Sequence, residues 1–136
     1  MNIGIDIGST ASKVVVYDKE KDEIVYKILM PSGWNSKETS VEIYKNLVEN
    51  GYDVDNSFVV ATGYGRVSVP YADRVVTEIT THSKGAIYLL QSDCDVIDIG
   101  GQDTKIINIS NGLVSDFIMN DKCSAGTGKF LEVMSN

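Results

Sequence analysis

The chain has 136 residues, 43% of them hydrophobic, which is enough for a compact core burying roughly two thirds of the unfolded surface. Its net charge of −7 argues against nucleic acid or an anionic membrane as a partner, because a basic patch is needed to neutralise phosphates. No apolar run approaches a membrane span, and no basic region opens a secretion signal, so we expect a cytoplasmic protein.

Alternating apolar residues predict three strands at the start of the chain, over residues 2–8, 12–18 and 23–30. A helix follows. Asn35 can cap it with Glu38 three residues later, and Gly51 can end it. The apolar stripe of this helix is predicted to pack in the core; its members are Val41, Tyr44, Leu47 and Val48.

Further along, residues 57–62 predict a short strand that leads into Gly63-Tyr-Gly-Arg66. A G-x-G turn alone is weak support for a ligand site, so a structural turn is the favoured interpretation. Residues 77–91 predict a second helix. His82 lies in it, and a lone helical histidine favours a hydrogen-bonded packing role over that of a catalytic base.

The last third of the chain predicts a hairpin and a helix. A strand over residues 96–99 follows Cys94, which is expected to be an inert small hydrophobe. A hairpin then runs over residues 103–119 and turns at Asn111-Gly112, a strong tight-turn signal. The helix face at the end of the chain comprises Phe130, Leu131, Val133 and Met134.

One stretch occurs twice in register. Asp6-Ile-Gly-Ser-Thr-Ala-Ser-Lys13 recurs as Asp98-Ile-Gly-Gly-Gln-Asp-Thr-Lys105, and each copy lies between two apolar runs. The repeated unit is therefore predicted to be a strand, a glycine turn and a second strand. Two such units suggest two related lobes whose turns face a shared ligand.

The residue types of this repeat indicate a phosphate and a cation. Gly8, Gly100 and Gly101 lack a Cβ and can bring backbone N–H groups close to an anion. Two opposed carboxylates, Asp6 and Asp98, would repel by about 4 kcal/mol at ~4 Å and an effective dielectric near 20. Mg²⁺ removes that conflict, since it binds phosphates with one or two carboxylates. Either copy alone favours a simple hairpin turn, and the duplication in register reverses that preference in favour of the site.

Cys123 follows the hairpin of residues 103–119 and lies in a loop of small residues that precedes a helix. A helix N-terminus and the adjacent Lys122 both favour thiolate over thiol. A thiolate suits a nucleophile or an iron-sulfur ligand. A buried free cysteine is the alternative, and the residues alone leave the two open.

Taken together, these motifs resemble a known superfamily. The two copies of the repeat are similar to the phosphate motifs of the acetate and sugar kinase, heat-shock chaperone and actin superfamily. Within it, three further stretches resemble the BadF/BadG/BcrA/BcrD-type ATPases, in particular activators of 2-hydroxyacyl-CoA dehydratases. They are Ala61-Thr-Gly-Tyr-Gly-Arg66, residues 78–86, and the stretch from Asn120 to Phe130 that contains Cys123.

The resemblance implies an α/β, ribonuclease-H-like, actin-type ATPase fold whose two lobes close on Mg-ATP. It also implies a homodimer with one [4Fe-4S] cluster at its interface. ATP hydrolysis would drive single electrons from the cluster to a 2-hydroxyacyl-CoA dehydratase or related reductase, and a ferredoxin or flavodoxin would supply them. Cys123 matches a cluster ligand, and Asp6 and Asp98 match carboxylates around Mg²⁺, bound through water. Gln102 joins these two aspartates as a catalytic position. The positions matching nucleotide-binding residues are Gly8, Ser9, Thr10, Lys13, Gly100, Gly101, Asp103 and Lys105.

The resemblance further implies a first lobe over residues 1–92 and the truncated start of a second over 93–136. Family members run longer and carry a second cluster cysteine, so a fragment, inactive by itself, is expected. Two other functions stay open. One is a small-molecule kinase of the same fold with Asp103 as base, and the other is a folded lobe without catalytic activity.

Overall fold

The computed structural model of the protein describes residues 1–122 and 127–135 and divides into two compact units, Met1–Thr77 and Glu78–Asn136. The sequence placed the boundary after residue 92. The division falls earlier because the helix Glu78–Leu90 packs against the strands that follow it in the chain. That helix therefore belongs to the second unit.

The first unit is a five-stranded sheet with one long helix. Strands β1 (Asn2–Ile7), β2 (Ala11–Asp18) and β3 (Glu23–Pro31) form an antiparallel meander. Helix α1 (Ser36–Glu49) leads to β4 (Phe58–Thr62), which pairs parallel to β1, and the short β5 (Arg74–Val75) pairs parallel to β4. The sheet order is β3-β2-β1-β4-β5, and the predicted strands are confirmed.

The core of the first unit lies on one face of β1 and under α1. Ile3, Ile5 and Ile7 alternate along β1 and are each at most 1% exposed, as the period-2 pattern requires. Helix α1 covers them with Ile43 and Leu47, which are spaced one helical turn apart and fully buried.

The apolar stripe predicted for α1 is partly wrong. Val41 and Val48 are 52% and 50% exposed, and the helix buries Thr39 and Ser40 instead. The physical reason is a polar attachment at the start of the helix. The Thr39 hydroxyl lies within hydrogen-bond reach of the carbonyl oxygens of Ser32 and Asn35, and this turns the Thr39 side of α1 toward the sheet.

Both predicted ends of α1 are confirmed. The Asn35 side chain accepts a hydrogen bond from the Lys37 backbone N–H at 3.0 Å and donates one to Glu38 at 3.1 Å. Gly51 follows the helix in the left-handed region, with φ 86°, where a residue without a Cβ is favoured.

The second unit combines a three-stranded antiparallel sheet with two helices. Helix α2 (Glu78–Leu90) precedes β6 (Asp95–Ile99), β7 (Thr104–Ser110) and β8 (Leu113–Asn120), and α3 (Gly128–Ser135) follows. The sheet order is β6-β7-β8.

The β7–β8 connection is the predicted tight turn. Asn111 and Gly112 have φ values of 54° and 70°, as a two-residue hairpin requires. None of the helices in the described ranges is long and apolar enough to cross a membrane.

Candidate functional site

The duplicated stretch forms the same structure in both units. In the first unit Asp6 on β1 pairs with Lys13 on β2, and in the second Asp98 on β6 pairs with Lys105 on β7. Each aspartate therefore faces its lysine across two antiparallel strands, next to the glycine turn that joins them. The prediction of a strand, a glycine turn and a second strand is confirmed in both copies.

The first turn closes tightly at Gly8. Its backbone N–H donates to the Ala11 carbonyl at 3.2 Å, and a Cβ at Gly8 would lie 2.7 Å from that same oxygen. Gly8 does not have a positive φ. Glycine is thus required here for the close approach of the backbone and not for a left-handed conformation. Ser9 and Thr10, at the tip of the turn, are exposed.

The Asp6–Lys13 pair is open to solvent. Lys13 Nζ lies 3.1 Å from Asp6 Oδ2, and the two side chains are 52% and 21% exposed. Exposed ion pairs of this kind contribute only about 0–1 kcal/mol, so Lys13 can leave Asp6 for another anion at little cost.

The loop after β4 supports Asp6 from the other side. Gly63 has φ 87°, and a Cβ there would collide with Asp6 Oδ1 and with the Ile7 carbonyl oxygen. The Gly65 backbone N–H donates to that Ile7 carbonyl at 2.8 Å. The sequence indicated a structural turn at Gly63-Tyr-Gly65. In the structure this turn packs directly against a predicted site residue.

The second turn closes in the same way and also contacts α3. The Gly100 N–H donates to the Asp103 carbonyl at 2.8 Å, and a Cβ at Gly100 would collide with Asp103 Oδ1. The Gly128 N–H, at the first residue of α3, donates to the Gly100 carbonyl at 2.7 Å. Gln102 is exposed in this turn and Gly101 is half-buried.

Lys105, unlike Lys13, is buried among carboxylates. Its side chain is 4% exposed, and its Nζ lies 2.9 Å from Glu78, 2.8 Å from Asp103 and 3.4 Å from Asp98. Burial by itself would lower the pKa of Lys105, but the hydrogen bonds to Asp103 and Glu78 outweigh burial and raise that pKa above its usual range. Lys105 is consequently a permanent positive charge inside the second unit.

Asp98 has a second polar neighbour on helix α2. His82 Nδ1 lies 3.0 Å from Asp98 Oδ2, the same oxygen that faces Lys105. The contact with His82 is the main cause that lowers the pKa of Asp98; burial opposes the shift, and electrostatic interactions with His82 and Lys105 assist it. Asp98 is thus held as a carboxylate.

Sequence reasoning missed Glu78 as a site residue and treated His82 as a packing residue. The histidine does make a polar contact, as expected, but its partner is a predicted site residue. The signal was the four-residue spacing of Glu78 and His82, which places both on one face of a helix. Nothing in the sequence indicated that this face would meet Asp98 and Lys105.

The structure therefore gathers the predicted residues into two groups, one in each unit. Asp6 and Lys13 lie beside the first turn, and Asp98 and Lys105 lie beside the second. Cys123, the predicted cluster ligand, lies outside the described residues. Cys94 is a partly buried free thiol. Within residues 1–122 and 127–135, no group of three or more His, Cys, Asp or Glu side chains could hold a metal ion.

Comparison with known proteins matches nearly the whole chain. A family model described as the BadF/BadG/BcrA/BcrD ATPase family matches residues 3–136. The (R)-2-hydroxyglutaryl-CoA dehydratase activating ATPase of Acidaminococcus fermentans is 44% identical over 98% of this chain and 52% of its own length. The chain spans about half the length of the curated relatives it matches.

Two solved structures share the fold. Component A of the A. fermentans (R)-2-hydroxyglutaryl-CoA dehydratase matches 99% of this chain and 52% of its own, with a TM-score of 0.87 and 43% identity. The activator of the 2-hydroxyisocaproyl-CoA dehydratase from Clostridium difficile, with bound ADPNP, matches 98% of this chain and 50% of its own. Its TM-score is 0.86 at 40% identity. The mixed α/β fold of these actin-like activators is thus present here.

Proposed function

The chain belongs to the BadF/BadG/BcrA/BcrD ATPase family, and from that premise we propose that the complete protein is an ATP-dependent reductive activator. It hydrolyses ATP to drive single electrons from a [4Fe-4S] cluster to a 2-hydroxyacyl-CoA dehydratase. One observation carries the proposal, namely the Asp–Lys pair beside a glycine turn that occurs once in each unit. The bound ADPNP of the C. difficile relative supports the nucleotide part.

The first turn fits a phosphate group. Its tip, Ser9 and Thr10, is exposed, and Lys13 beside it is half-exposed and weakly paired. Short hydroxyl side chains and a mobile ammonium are suitable donors to phosphate oxygens. We assign phosphate contacts to these residues and to Gly8, and at the second turn to Gly100, Gly101 and the exposed Gln102.

The two aspartates fit Mg²⁺ held through water. Asp98 Oδ2 already faces His82 and Lys105, so direct replacement of those partners by a metal ion would be unfavourable, and in this proposal the ion binds through water. Asp6 lies within reach of solvent beside the first turn. Bound Mg²⁺ would neutralise charge on the phosphates during hydrolysis. In this proposal Gln102 orients the attacking water.

The redox part rests on Cys123 and on the relatives. The sequence around Cys123 favours a thiolate, which is the form that ligates iron-sulfur clusters. The A. fermentans and C. difficile relatives are a dehydratase activating ATPase and a dehydratase activator. In this proposal Cys123 of each subunit supplies one ligand to a cluster that the two subunits share. A reduced ferredoxin or flavodoxin reduces the cluster again after each electron transfer.

Anaerobic purification of the full-length protein tests the redox part. We expect iron, sulfide and a charge-transfer absorbance that Cys123→Ala removes and Cys94→Ala, at the other cysteine of this chain, retains. Wild-type protein should also reduce a 2-hydroxyacyl-CoA dehydratase only when MgATP is present. A wild type that stays colourless after anaerobic iron-sulfur reconstitution would rule the proposal out.

The kinase alternative requires Asp103 as a base near the second turn. Asp103 is 5% exposed, and its carboxylate accepts a hydrogen bond from Lys105 at 2.8 Å, so it is not presented to a substrate. ATP consumption strictly dependent on an added hydroxyl or carboxyl acceptor would nevertheless select the kinase. Calorimetry that shows no Mg-ATP binding by the 136-residue chain would support the lobe without catalytic activity.

A further inference from the structure

Two side chains of helix α2 contact strands β6 and β7, one through a carboxylate and the other through an imidazole. On the helix, Glu78 Oε2 lies 2.9 Å from Lys105 Nζ, and His82 Nδ1 lies 3.0 Å from Asp98 Oδ2. Glu78 and His82 are four residues apart and share a helix face. Their partners Asp98 and Lys105 face one another in the β6–β7 register. Four ionisable groups from three elements therefore meet beside the second turn.

The equivalent lysines of the two copies have different surroundings. Lys13 is 52% exposed and lies near one carboxylate, whereas Lys105 is 4% exposed and lies near three. If Lys105 turned toward a ligand, it would leave Asp103, which is 5% exposed, buried without its cation, which is strongly unfavourable. Lys13 and Lys105 therefore occupy equivalent sequence positions but have different roles.

We propose that Lys105 and His82 are positioning residues that hold the Asp98 carboxylate in one orientation toward Mg²⁺, and that Lys105 does not contact phosphate. Two groups from different elements lie 3.0 Å and 3.4 Å from Asp98 Oδ2 and restrict the rotation of the carboxylate. Oδ1 would then be the oxygen left for a hydrated cation. Glu78 and Asp103 act indirectly, because their carboxylates hold the Lys105 ammonium in position. The inference rests on the proposed use of Mg-nucleotide at this turn.

Calorimetric binding of ADPNP to the full-length protein, with Mg²⁺ and separately with EDTA, tests the role of His82. Partners that orient a metal ligand contribute about 10–100-fold to metal affinity, so His82→Ala should weaken ADPNP binding about tenfold in Mg²⁺ and leave it unchanged in EDTA. His82→Asn, whose amide can donate from a similar position, should restore most of the loss. Lys84→Ala, which removes an exposed cation from the same helix, is the matched control and should behave as wild type.

Lys105 is tested together with Glu78, because Lys105→Gln alone would leave both Glu78 and Asp103 without their cation. The Lys105→Gln, Glu78→Gln double variant removes one charge of each sign and allows an amide–amide hydrogen bond. We expect it to melt cooperatively and to bind ADPNP more weakly in Mg²⁺ only. Lys13→Gln, at the equivalent position of the first copy, should weaken binding in both solutions.

Four outcomes overturn the inference, and they differ from one another. If the double variant binds ADPNP more weakly in EDTA as well, Lys105 contacts phosphate directly. If the His82 and Lys105 variants match wild type in both solutions, their role is structural alone. If Mg²⁺ does not strengthen wild-type binding, Asp98 has no cation to orient, although the protein still binds nucleotide. If wild type binds no ADPNP in either solution, the proposed function itself fails.

Discussion

Gly63 and Gly51 offer a controlled test of the support beneath Asp6. Their φ values are 87° and 86°, so an alanine is equally strained at either position. A Cβ at Gly63 would collide with Asp6 Oδ1 and the Ile7 carbonyl, whereas a Cβ at Gly51 meets nothing within 4 Å. The difference between the two alanine variants therefore isolates the collision from the backbone strain.

The expected free energies of unfolding follow from these two contributions. A left-handed alanine costs about 1–2 kcal/mol, which is the whole effect expected for Gly51→Ala. Overpacking adds about 1–3 kcal/mol, so Gly63→Ala should cost about 2–5 kcal/mol. Gly65→Ala completes the series, because Gly65 has φ −85° and its Cβ would lie 2.8 Å from Ser36 Oγ and collide with Ile7. It should show the collision alone, about 1–3 kcal/mol.

Urea denaturation followed by far-UV circular dichroism measures these differences. Fluorescence is less suitable, since Trp34, the single tryptophan of the chain, is fully exposed in the native state. If Gly63→Ala is no less stable than Gly51→Ala, the loop does not pack against Asp6 and Ile7. The account of Asp6 as a supported carboxylate would then be wrong.

Two further predictions concern acid stability and the face of α1. Asp93 accepts hydrogen bonds from the backbone N–H groups of Gly112 and Asn111, and these bonds lower its pKa below 3.8. The Asp93 carboxylate therefore stabilises the fold at pH values above its unfolded pKa. This stabilisation is lost as the pH falls through the folded pKa. The melting-temperature difference between wild type and Asp93→Asn should therefore shrink between about pH 7 and about pH 3, and an equal difference at both would contradict this. For α1, Ile43→Ala should cost about 2–5 kcal/mol in urea denaturation and Val41→Ala less than about 0.5 kcal/mol, because Ile43 is 0% exposed and Val41 52%. If the two variants lost similar amounts of unfolding free energy, Val41 would belong to the core-facing stripe, as the sequence predicted.

The local features of this protein could be predicted because neighbouring residues set them. Alternation of Ile with small or polar residues defines β1, Asn35 and Gly51 bound α1, and Asn111-Gly112 sets the β7–β8 turn. Each of these depends on contacts a few residues apart in the chain. For the same reason the strand–turn–strand form of both repeat copies was predictable.

The face of a helix that meets the core depends on contacts distant in sequence. Val41 and Val48 have the composition of core residues, but α1 is oriented by the contact of Thr39 with the Ser32 carbonyl, outside the helix. The position of α2 is a similar case. The resemblance to the ATPase family placed it in the first lobe with the preceding residues, whereas packing joins it to β6, β7 and β8.

Two matching Asp–Lys pairs beside glycine turns can be read from the residues alone, since motif, spacing and strand register all follow from the local pattern. The difference between the two pairs arises from packing. Lys13 remains in solvent, while α2 brings Glu78 over Lys105 and His82 against Asp98. The physical reason is that burial and charge pairing depend on which element packs above a strand. Identical motifs can therefore present one lysine to a ligand and hold the other in place.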